Sequence, residues 1–146
     1  MLIRFATPDD IPALHALEAA CFPDPWSERF LRATLSEKNT IMLVAETDGQ
    51  VAGYLNASTL LDESELNRIC LLPQYRRQGL AQGLMARYEE SCKERNVTTL
   101  FLEVRKSNAP ARALYEKTGY LVIGERANYY TNPEEPAVLM RKLLAY

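Results

Sequence analysis

The segment formed by residues 65–104 constrains the fold most strongly, because it is predicted to form a strand, a long helix and a second strand. The first strand covers residues 65–72, and the helix runs from about Leu80 to Arg95. The second strand covers residues 98–104. A helix that connects two strands of one sheet normally leaves those strands parallel. The chain is therefore predicted to contain a parallel α/β unit.

Shorter elements precede this unit. Residues 2–5 are predicted to form a strand, and Asp10 is expected to cap a helix. The apolar residues of that helix recur at helical spacing and are Ile11, Leu14, Leu17 and Cys21. Ser27 is expected to cap a second helix. The residues that this second helix turns inward are predicted to be Phe30, Leu31, Thr34 and Leu35.

The remaining elements complete a mixed sheet. Strands over residues 41–46 and 50–59 flank Asp48-Gly49, a strong signal for a tight hairpin. After the crossover, Ser107 or Asn108 is expected to cap a helix that ends at Thr118, with Gly119 as its C-terminal stop. The last two strands are predicted at residues 120–127 and 137–144. The predicted order is βααβββαβαββ, an α/β fold with a mixed central sheet in a single domain of 146 residues.

Composition excludes several classes of function. The net charge is −2, which argues against broad binding of nucleic acid or of a membrane surface. The sequence shows neither a signal peptide nor an apolar run long enough to span a membrane, so a cytoplasmic protein is expected. Cys21, Cys70 and Cys92 have no metal-like spacing and are expected to be reduced. His15 is the only histidine, so no metal site and no Cys-His catalysis are expected.

The loop before the long helix is a candidate anion site. It reads Arg76-Arg77-Gln78-Gly79-Leu80-Ala81. Gly79 allows the backbone to approach a ligand closely, and successive N–H groups at a helix N-terminus favour a phosphate group. The two arginines add positive charge. Read by itself, the loop is equally consistent with a solvated basic turn between a strand and a helix.

The pattern Arg76-x-x-Gly79-x-Ala81 resembles the acyl-CoA-binding motif of the GNAT acetyltransferase superfamily. That resemblance implies a GNAT fold, acetyl-CoA as co-substrate and pyrophosphate contacts from the loop backbone. It also implies that residues 69–71 bind the pantetheine arm as an added strand, with the Leu71 N–H polarising the thioester carbonyl. The implied acetyl-CoA contacts are Ile69, Cys70, Leu71, Arg76, Arg77, Gln78, Gly79, Leu80, Ala81 and Gln82.

Two further residues are candidates for proton transfer. Alternation places Leu100, Leu102 and Val104 on one face of their strand, so Glu103 lies on the other face near the strand's C-terminal end. A partly shielded carboxylate there suits a general base, although pairing with Arg105 or simple solvation is the favoured explanation when the strand is read by itself. Tyr115 on the next helix is either a core tyrosine or a proton donor to a leaving thiolate.

A longer pattern narrows the resemblance. It extends from Leu102-Glu103-Val104-Arg105 through Asn108, Ala111, Leu114, Tyr115 and Gly119-Tyr120, and continues at Arg126-x-Asn128-Tyr129-Tyr130. Together with Phe22-Pro23 and Trp26-Ser27, it is similar to the bacterial ribosomal-protein-alanine N-acetyltransferases. This branch implies Glu103 as proton acceptor, Tyr115 as proton donor and Asn108 as a CoA contact. It also implies direct attack by the N-terminal amine of a small-subunit ribosomal protein.

The sequence constrains the identity of the acceptor substrate less than it constrains the acetyl-transfer reaction. Tyr129, Tyr130 and the segment around Trp26 are candidate walls of the peptide site. The branch often has an acidic residue where this chain has Pro136, and its 131–136 loop is commonly longer. Lysine side chains or small amines therefore remain alternative acceptors. A non-catalytic acyl-CoA sensor is a further alternative, although retention of Glu103 and Tyr115 counts against it. We expect a monomer, with a dimer left open.

Overall fold

The computed structural model describes residues 1–131 and 133–144. Its elements follow the predicted order βααβββαβαββ, with two additional short 3₁₀ turns at Pro8–Asp10 and Pro73–Tyr75. The strands are β1 Leu2–Phe5, β2 Thr40–Thr47, β3 Gln50–Leu60, β4 Glu63–Leu71, β5 Thr99–Arg105, β6 Leu121–Tyr130 and β7 Glu135–Leu143. The helices are α1 Ile11–Cys21, α2 Glu28–Leu35, α3 Leu80–Glu94 and α4 Ala109–Lys117.

One mixed sheet holds the seven strands in the order β1-β2-β3-β4-β5-β7-β6. The crossover strands β4 and β5 are parallel, and every other neighbouring pair is antiparallel, which confirms the predicted mixed sheet. The parallel pairing joins residues 63–66 to residues 99–102 and extends no further within the described chain. Beyond that point β4 and β5 separate, so the sheet has a gap in its middle.

An irregularity in β4 lies where the gap begins. Arg68 faces Asn56 of β3, whereas Leu66 faces Ala57, so Asn67 is an extra residue in the backbone register of β4 against β3. A bulge of this kind bends its strand and increases the local twist. The bend accounts for the separation of β4 from β5, because it follows directly after the last parallel pair.

Two apolar clusters cover the two faces of the sheet. The larger one packs α3 against the middle strands, with Leu84, Met85 and Tyr88 buried against Leu43, Leu55 and Leu100. The smaller one packs α1 and α2 against the opposite face through Leu14, Leu17, Leu31, Val44 and Tyr54. None of the helices within residues 1–131 and 133–144 is long and apolar enough to cross a membrane.

Local sequence signals explain several element ends. Asp48 and Gly49 both have positive φ (53° and 75°), which confirms the predicted tight hairpin between β2 and β3. The Ser27 side chain accepts a hydrogen bond from the Phe30 N–H at 3.1 Å, which confirms the cap of α2. Asn108, rather than Ser107, caps α4 by accepting from the Ala111 N–H at 3.2 Å.

Two predicted local roles differ from the structure. Asp10 is the N-cap residue of α1, as predicted, but its side chain does not bond to the helix N–H groups: its carboxylate accepts from the Thr7 N–H (2.7 Å) and from Arg4 (2.9 Å). A charged partner holds the carboxylate more strongly than the helix N–H groups would. Phe30 does not point inward: 49% of it is exposed, and its ring packs at 4.8 Å on Trp26. Leu31 is buried and Leu35 packs against the core, which confirms the rest of the predicted apolar face.

Candidate active site

A cavity of about 890 Å³ opens beside the N-terminus of α3, and we call it the α3 cavity. It lies between the free side of β4, the loop before α3 and the helix α4. It brings together every predicted acetyl-CoA contact except Gln78, whose side-chain amide donates to the Gln74 carbonyl at 3.3 Å. The predicted residues that line it are Ile69, Cys70, Leu71, Arg76, Arg77, Gly79, Leu80, Ala81, Gln82 and Asn108.

The loop at the mouth of the α3 cavity has two left-handed residues. Arg77 has φ 65°, and Gly79, which is the N-cap of α3, has φ 81°. A Cβ atom at position 79 would meet no other atom within 4 Å, so this glycine leaves open space in front of the helix. The first N–H groups of a helix have no acceptor inside the helix. With Arg76 beside them, they form a positively polarised surface that suits a phosphate.

The wall formed by β4 offers unpaired backbone groups. The Leu72 N–H donates to the Ala52 carbonyl of β3 at 2.9 Å. Alternate residues of a strand point their N–H groups to opposite sides, so the Leu71 N–H points away from β3 and into the gap. Residues 69–71 have strand partners in β3 and none in β5 within the described chain. An extended ligand could therefore pair with this side of β4 as an added strand.

Tyr115 of α4 lines the α3 cavity. Its side chain is buried, and its ring packs 5.9 Å from the ring of Tyr120. Burial raises the pKa of Tyr115 well above the usual value for tyrosine, with a smaller contribution from Tyr130. The hydroxyl therefore stays protonated at neutral pH and is available as a hydrogen-bond or proton donor.

Glu103 lies on the other side of the gap, in a groove of about 470 Å³ that we call the Glu103 groove. Only 18% of its side chain is exposed, and its Oε1 lies 3.3 Å from Nη2 of Arg126. The anticipated pairing with Arg105 does not occur. Arg105 instead donates to Glu135 at 3.1 Å and to the carbonyls of Thr131 and Pro133, so it contacts three residues between β6 and the start of β7.

Two tyrosines flank Glu103. The Glu103 carboxylate raises the pKa of Tyr129, so the Tyr129 hydroxyl stays protonated beside it. Burial, and then the negative charge of Glu103, raise the pKa of Tyr130 to about 12. The two rings meet edge to face at 5.1 Å. Trp26 and Phe30 form the opposite wall of the Glu103 groove, so the three aromatic residues proposed as peptide walls share one groove.

Sequence reasoning missed several residues of both cavities. Cys21 and Phe22 line the α3 cavity, and a hydrogen bond with Cys70, aided by Arg76, lowers the pKa of Cys21 to about 7. Arg126 was part of the wider pattern but was not identified as the partner of Glu103. Its position three residues before Tyr129 was the available signal. In the described part of the chain, no group of His, Cys, Asp or Glu side chains is arranged to hold a metal ion.

Comparisons with known proteins agree with this geometry. The sequence profile of the Acetyltransferase (GNAT) family matches residues 11–120. The chain is 36% identical to the ribosomal protein bS18-alanine N-acetyltransferase of Escherichia coli strain K12, over 90% of this chain and 89% of that protein. It is 37% identical to the protein of the same name from Haemophilus influenzae, over 90% of each chain.

Solved structures give the same result for the fold. The crystal structure of the ribosomal-protein-S18-alanine N-acetyltransferase from Escherichia coli superposes with a TM-score of 0.91 and 33% identity, covering 99% of this chain and 94% of that one. Arabidopsis thaliana NAA60 in complex with acetyl-CoA shares the fold with a TM-score of 0.87 at 16% identity, covering 98% of this chain and 99% of that one. On these matches, this chain belongs to the Acetyltransferase (GNAT) family.

Proposed function

We propose that the protein transfers the acetyl group of acetyl-CoA to the N-terminal α-amine of a protein, namely the N-terminal alanine of a small-subunit ribosomal protein of the bS18 type. The observation that carries this proposal is that Tyr115 lines the α3 cavity and Glu103 lines the Glu103 groove, two cavities that both include residues of β4. The names of relatives that are more than a third identical over nearly their full length support the choice of acceptor. We expect the reaction to take place in the cytoplasm.

Acetyl-CoA would bind in the α3 cavity. The N–H groups at the start of α3, together with Arg76 and Arg77, would hold the pyrophosphate. The pantetheine arm would pair with residues 69–71, and Asn108 and the α4 side of the cavity would contact its other edge. The Leu71 N–H would then donate to the thioester carbonyl, where negative charge develops during attack.

The acceptor would enter from the Glu103 groove. Glu103, directly or through a water molecule, takes a proton from the α-ammonium group. An α-amino group titrates near 7.7–8.0, far below the value of about 10.4 for lysine, so a moderate base is sufficient. The free amine attacks the thioester carbon, the new N–C bond forms and the C–S bond breaks. Tyr115 gives its proton to the departing thiolate, the attacking nitrogen loses its second proton to solvent, and solvent returns a proton to Tyr115. No acyl-enzyme is formed.

The surroundings of Glu103 suit an incoming cation. In the free protein, the Arg126 guanidinium occupies one carboxylate oxygen at 3.3 Å while 55% of the Arg126 side chain remains exposed. An exposed ion pair is worth about 0–1 kcal/mol, so an α-ammonium group can replace the guanidinium at little cost. The hydroxyl of Tyr129 would keep the carboxylate oriented during this exchange.

A thiol-release assay with acetyl-CoA tests the proposed acceptor. Three peptides differ only at the N-terminus, which is free alanine, free serine or acetylated alanine. A fourth has acetylated alanine and an added internal lysine. We expect CoA release with free alanine and none with acetylated alanine. Release only with the internal lysine would replace the proposed acceptor by a lysine side chain. Binding of acetyl-CoA with no release on any peptide would indicate a small-amine acceptor or a sensor.

A further inference from the structure

Arg68 of β4 contacts an irregular segment that separates the two cavities. This segment, residues 22–26, reads Phe-Pro-Asp-Pro-Trp and joins α1 to α2; we call it the 22–26 corner. The Arg68 guanidinium lies 4.0 Å from the centre of the Phe22 ring and 4.6 Å from that of the Trp26 ring. Its Nη2 donates to the Asp24 carbonyl at 2.9 Å. One side chain therefore contacts the start, the middle and the end of the corner.

A fully buried carboxylate holds Arg68 in place. Glu18 of α1 has no exposed surface, and its Oε1 lies 3.3 Å from Nη2 of Arg68. The same Oε1 accepts from the Trp26 N–H at 2.8 Å, and Oε2 accepts from the Tyr54 hydroxyl. Burial and the hydrogen bond with Glu18 raise the pKa of Tyr54 far above its usual value. A buried carboxylate needs such partners, because an unpaired buried charge is strongly unfavourable.

The two ends of the 22–26 corner face different cavities. Phe22 lines the α3 cavity, and Trp26 lines the Glu103 groove. The corner contains two prolines, which lack an N–H group, and it forms no helix or strand. Its shape therefore depends on side-chain contacts, and Arg68 makes contacts with both aromatic ends. Only 19% of the Arg68 side chain is exposed, so these contacts are well shielded from water.

We propose that Arg68 is a positioning residue that links the two ends of the 22–26 corner into one wall shared by the α3 cavity and the Glu103 groove, so that the two ends move together. In this role Arg68 sets the affinity for the acetyl donor and for the acceptor together, without touching either. The inference rests on the proposed function for the identity of the two ligands. It goes beyond that function because Arg68 belongs to neither the loop motif nor the proton-transfer pair.

The test compares Arg68→Lys with Arg87→Lys. Lysine keeps the positive charge beside Glu18, so the variant folds, but it loses the planar group that stacks on two rings. Arg87 is a matched control, because its guanidinium also lies over a ring (Phe5, 4.9 Å) and near a carboxylate (Glu94, 3.5 Å) and it lines neither cavity. We expect Arg68→Lys to raise KM for acetyl-CoA and for the peptide by about tenfold each, equivalent to about 1.4 kcal/mol.

The kinetic pattern separates positioning from a general loss of structure. If Arg68 only supported the fold, Arg68→Lys would reduce the amount of active enzyme, lowering kcat and leaving both KM values unchanged. That result overturns the proposal. An increase in only one of the two KM values also overturns it, because the wall would not be shared. Arg87→Lys is expected to leave kcat and both KM values within about twofold of wild type.

A second readout needs no acceptor. Trp26 is the only tryptophan, so its fluorescence reports the groove end of the corner. We expect CoA, bound against Phe22 at the other end, to change the Trp26 emission of the wild type and of Arg87→Lys. In Arg68→Lys, saturating CoA should leave the emission nearly unchanged. An unchanged wild-type emission, with CoA binding verified by calorimetry, overturns the shared wall. Failure of every acceptor peptide would contradict the proposed function alone.

Discussion

Gly53 of β3 lies where the sheet allows no side chain, and its replacement by alanine tests the close packing behind β4. A Cβ atom at this position would lie 2.3 Å from Cδ2 of Leu71 and 2.6 Å from the carbonyl oxygen of Cys70. Carbon atoms in favourable contact are about 3.5–4.0 Å apart, so the backbone at Cys70 would have to move by about 1 Å. The Leu71 side chain can rotate away, whereas a backbone carbonyl within a strand cannot.

We therefore expect Gly53→Ala to lower the free energy of unfolding by about 1–3 kcal/mol, the range for overpacking in a well-packed interior. Urea denaturation followed by circular dichroism measures this change. Because the displaced residues line the α3 cavity, acetyl-CoA binding measured by calorimetry should also weaken by about tenfold. The protein should remain folded, because a domain of this size is stable by about 5–15 kcal/mol.

Gly83 in α3 provides the matched control. A Cβ atom there would meet the Ile3 side chain at 3.6 Å, an ordinary contact. Gly83→Ala should therefore raise the free energy of unfolding by about 0.5–1 kcal/mol, because alanine favours a helix interior more than glycine does. The steric argument is refuted if Gly53→Ala unfolds at the same urea concentration as the wild type, or if both substitutions change stability in the same direction.

Three further predictions concern the site and the local contacts. Glu103→Gln and Tyr115→Phe should each lower kcat by about 100-fold or more while calorimetry finds nearly unchanged acetyl-CoA affinity; loss of CoA binding in both folded variants would contradict the assigned roles. Asp10→Asn should lower the free energy of unfolding by about 1.5–3 kcal/mol at pH 7, because hydrogen bonds with Arg4 hold the pKa of Asp10 below its usual value. The Asp10 carboxylate stabilises the fold fully above its unfolded-state pKa near 3.9, and this stabilisation disappears as the pH falls through its lower folded-state pKa. Urea titrations of the wild type and of Asp10→Asn should therefore differ less at pH 3 than at pH 7. An equal difference at both pH values would contradict the ion pair. Ser27→Ala should cost about 1 kcal/mol in thermal unfolding through loss of the α2 cap, whereas an unchanged Tm would indicate that water replaces it.

Sequence reasoning succeeded where a short-range signal determines the outcome. Asp48-Gly49 determines its hairpin because both residues readily adopt positive φ. The alternation of residues in β5 correctly predicted that Leu100, Leu102 and Val104 share one face, which is buried, and that Glu103 lies on the other face. The loop motif brought nearly all of its implied contacts to one cavity, because a strand, a loop and a helix N-terminus that are consecutive in sequence are also neighbours in space.

The errors come from competition between distant partners. Asp10 has a residue type that often caps helices, but its carboxylate accepts hydrogen bonds from Arg4 of β1 instead. Glu103 and Arg105 are close in sequence, but they do not pair with each other. Arg105 forms an ion pair with Glu135, and Glu103 forms one with Arg126 of β6, the strand beyond β7. The spacing of Phe30 in α2 fits the inward face of the helix, but its ring packs on Trp26, which precedes the helix, rather than on the core. The spacing of apolar and polar residues along the chain does not indicate which distant residues come into contact, so these pairs could not be predicted from it.

The gap between β4 and β5 makes the sheet incomplete in its interior rather than at its border. A ligand that pairs with residues 69–71 would act as a missing strand, so ligand binding and folding stability are thermodynamically linked. The free energy of unfolding then rises with ligand concentration, by about 2.7 kcal/mol at one hundred times Kd. Without the ligand, the unpaired backbone groups form an edge to which another extended chain could bind. The supply of the ligand would thus raise the resistance of the protein to unfolding as well as its rate of turnover.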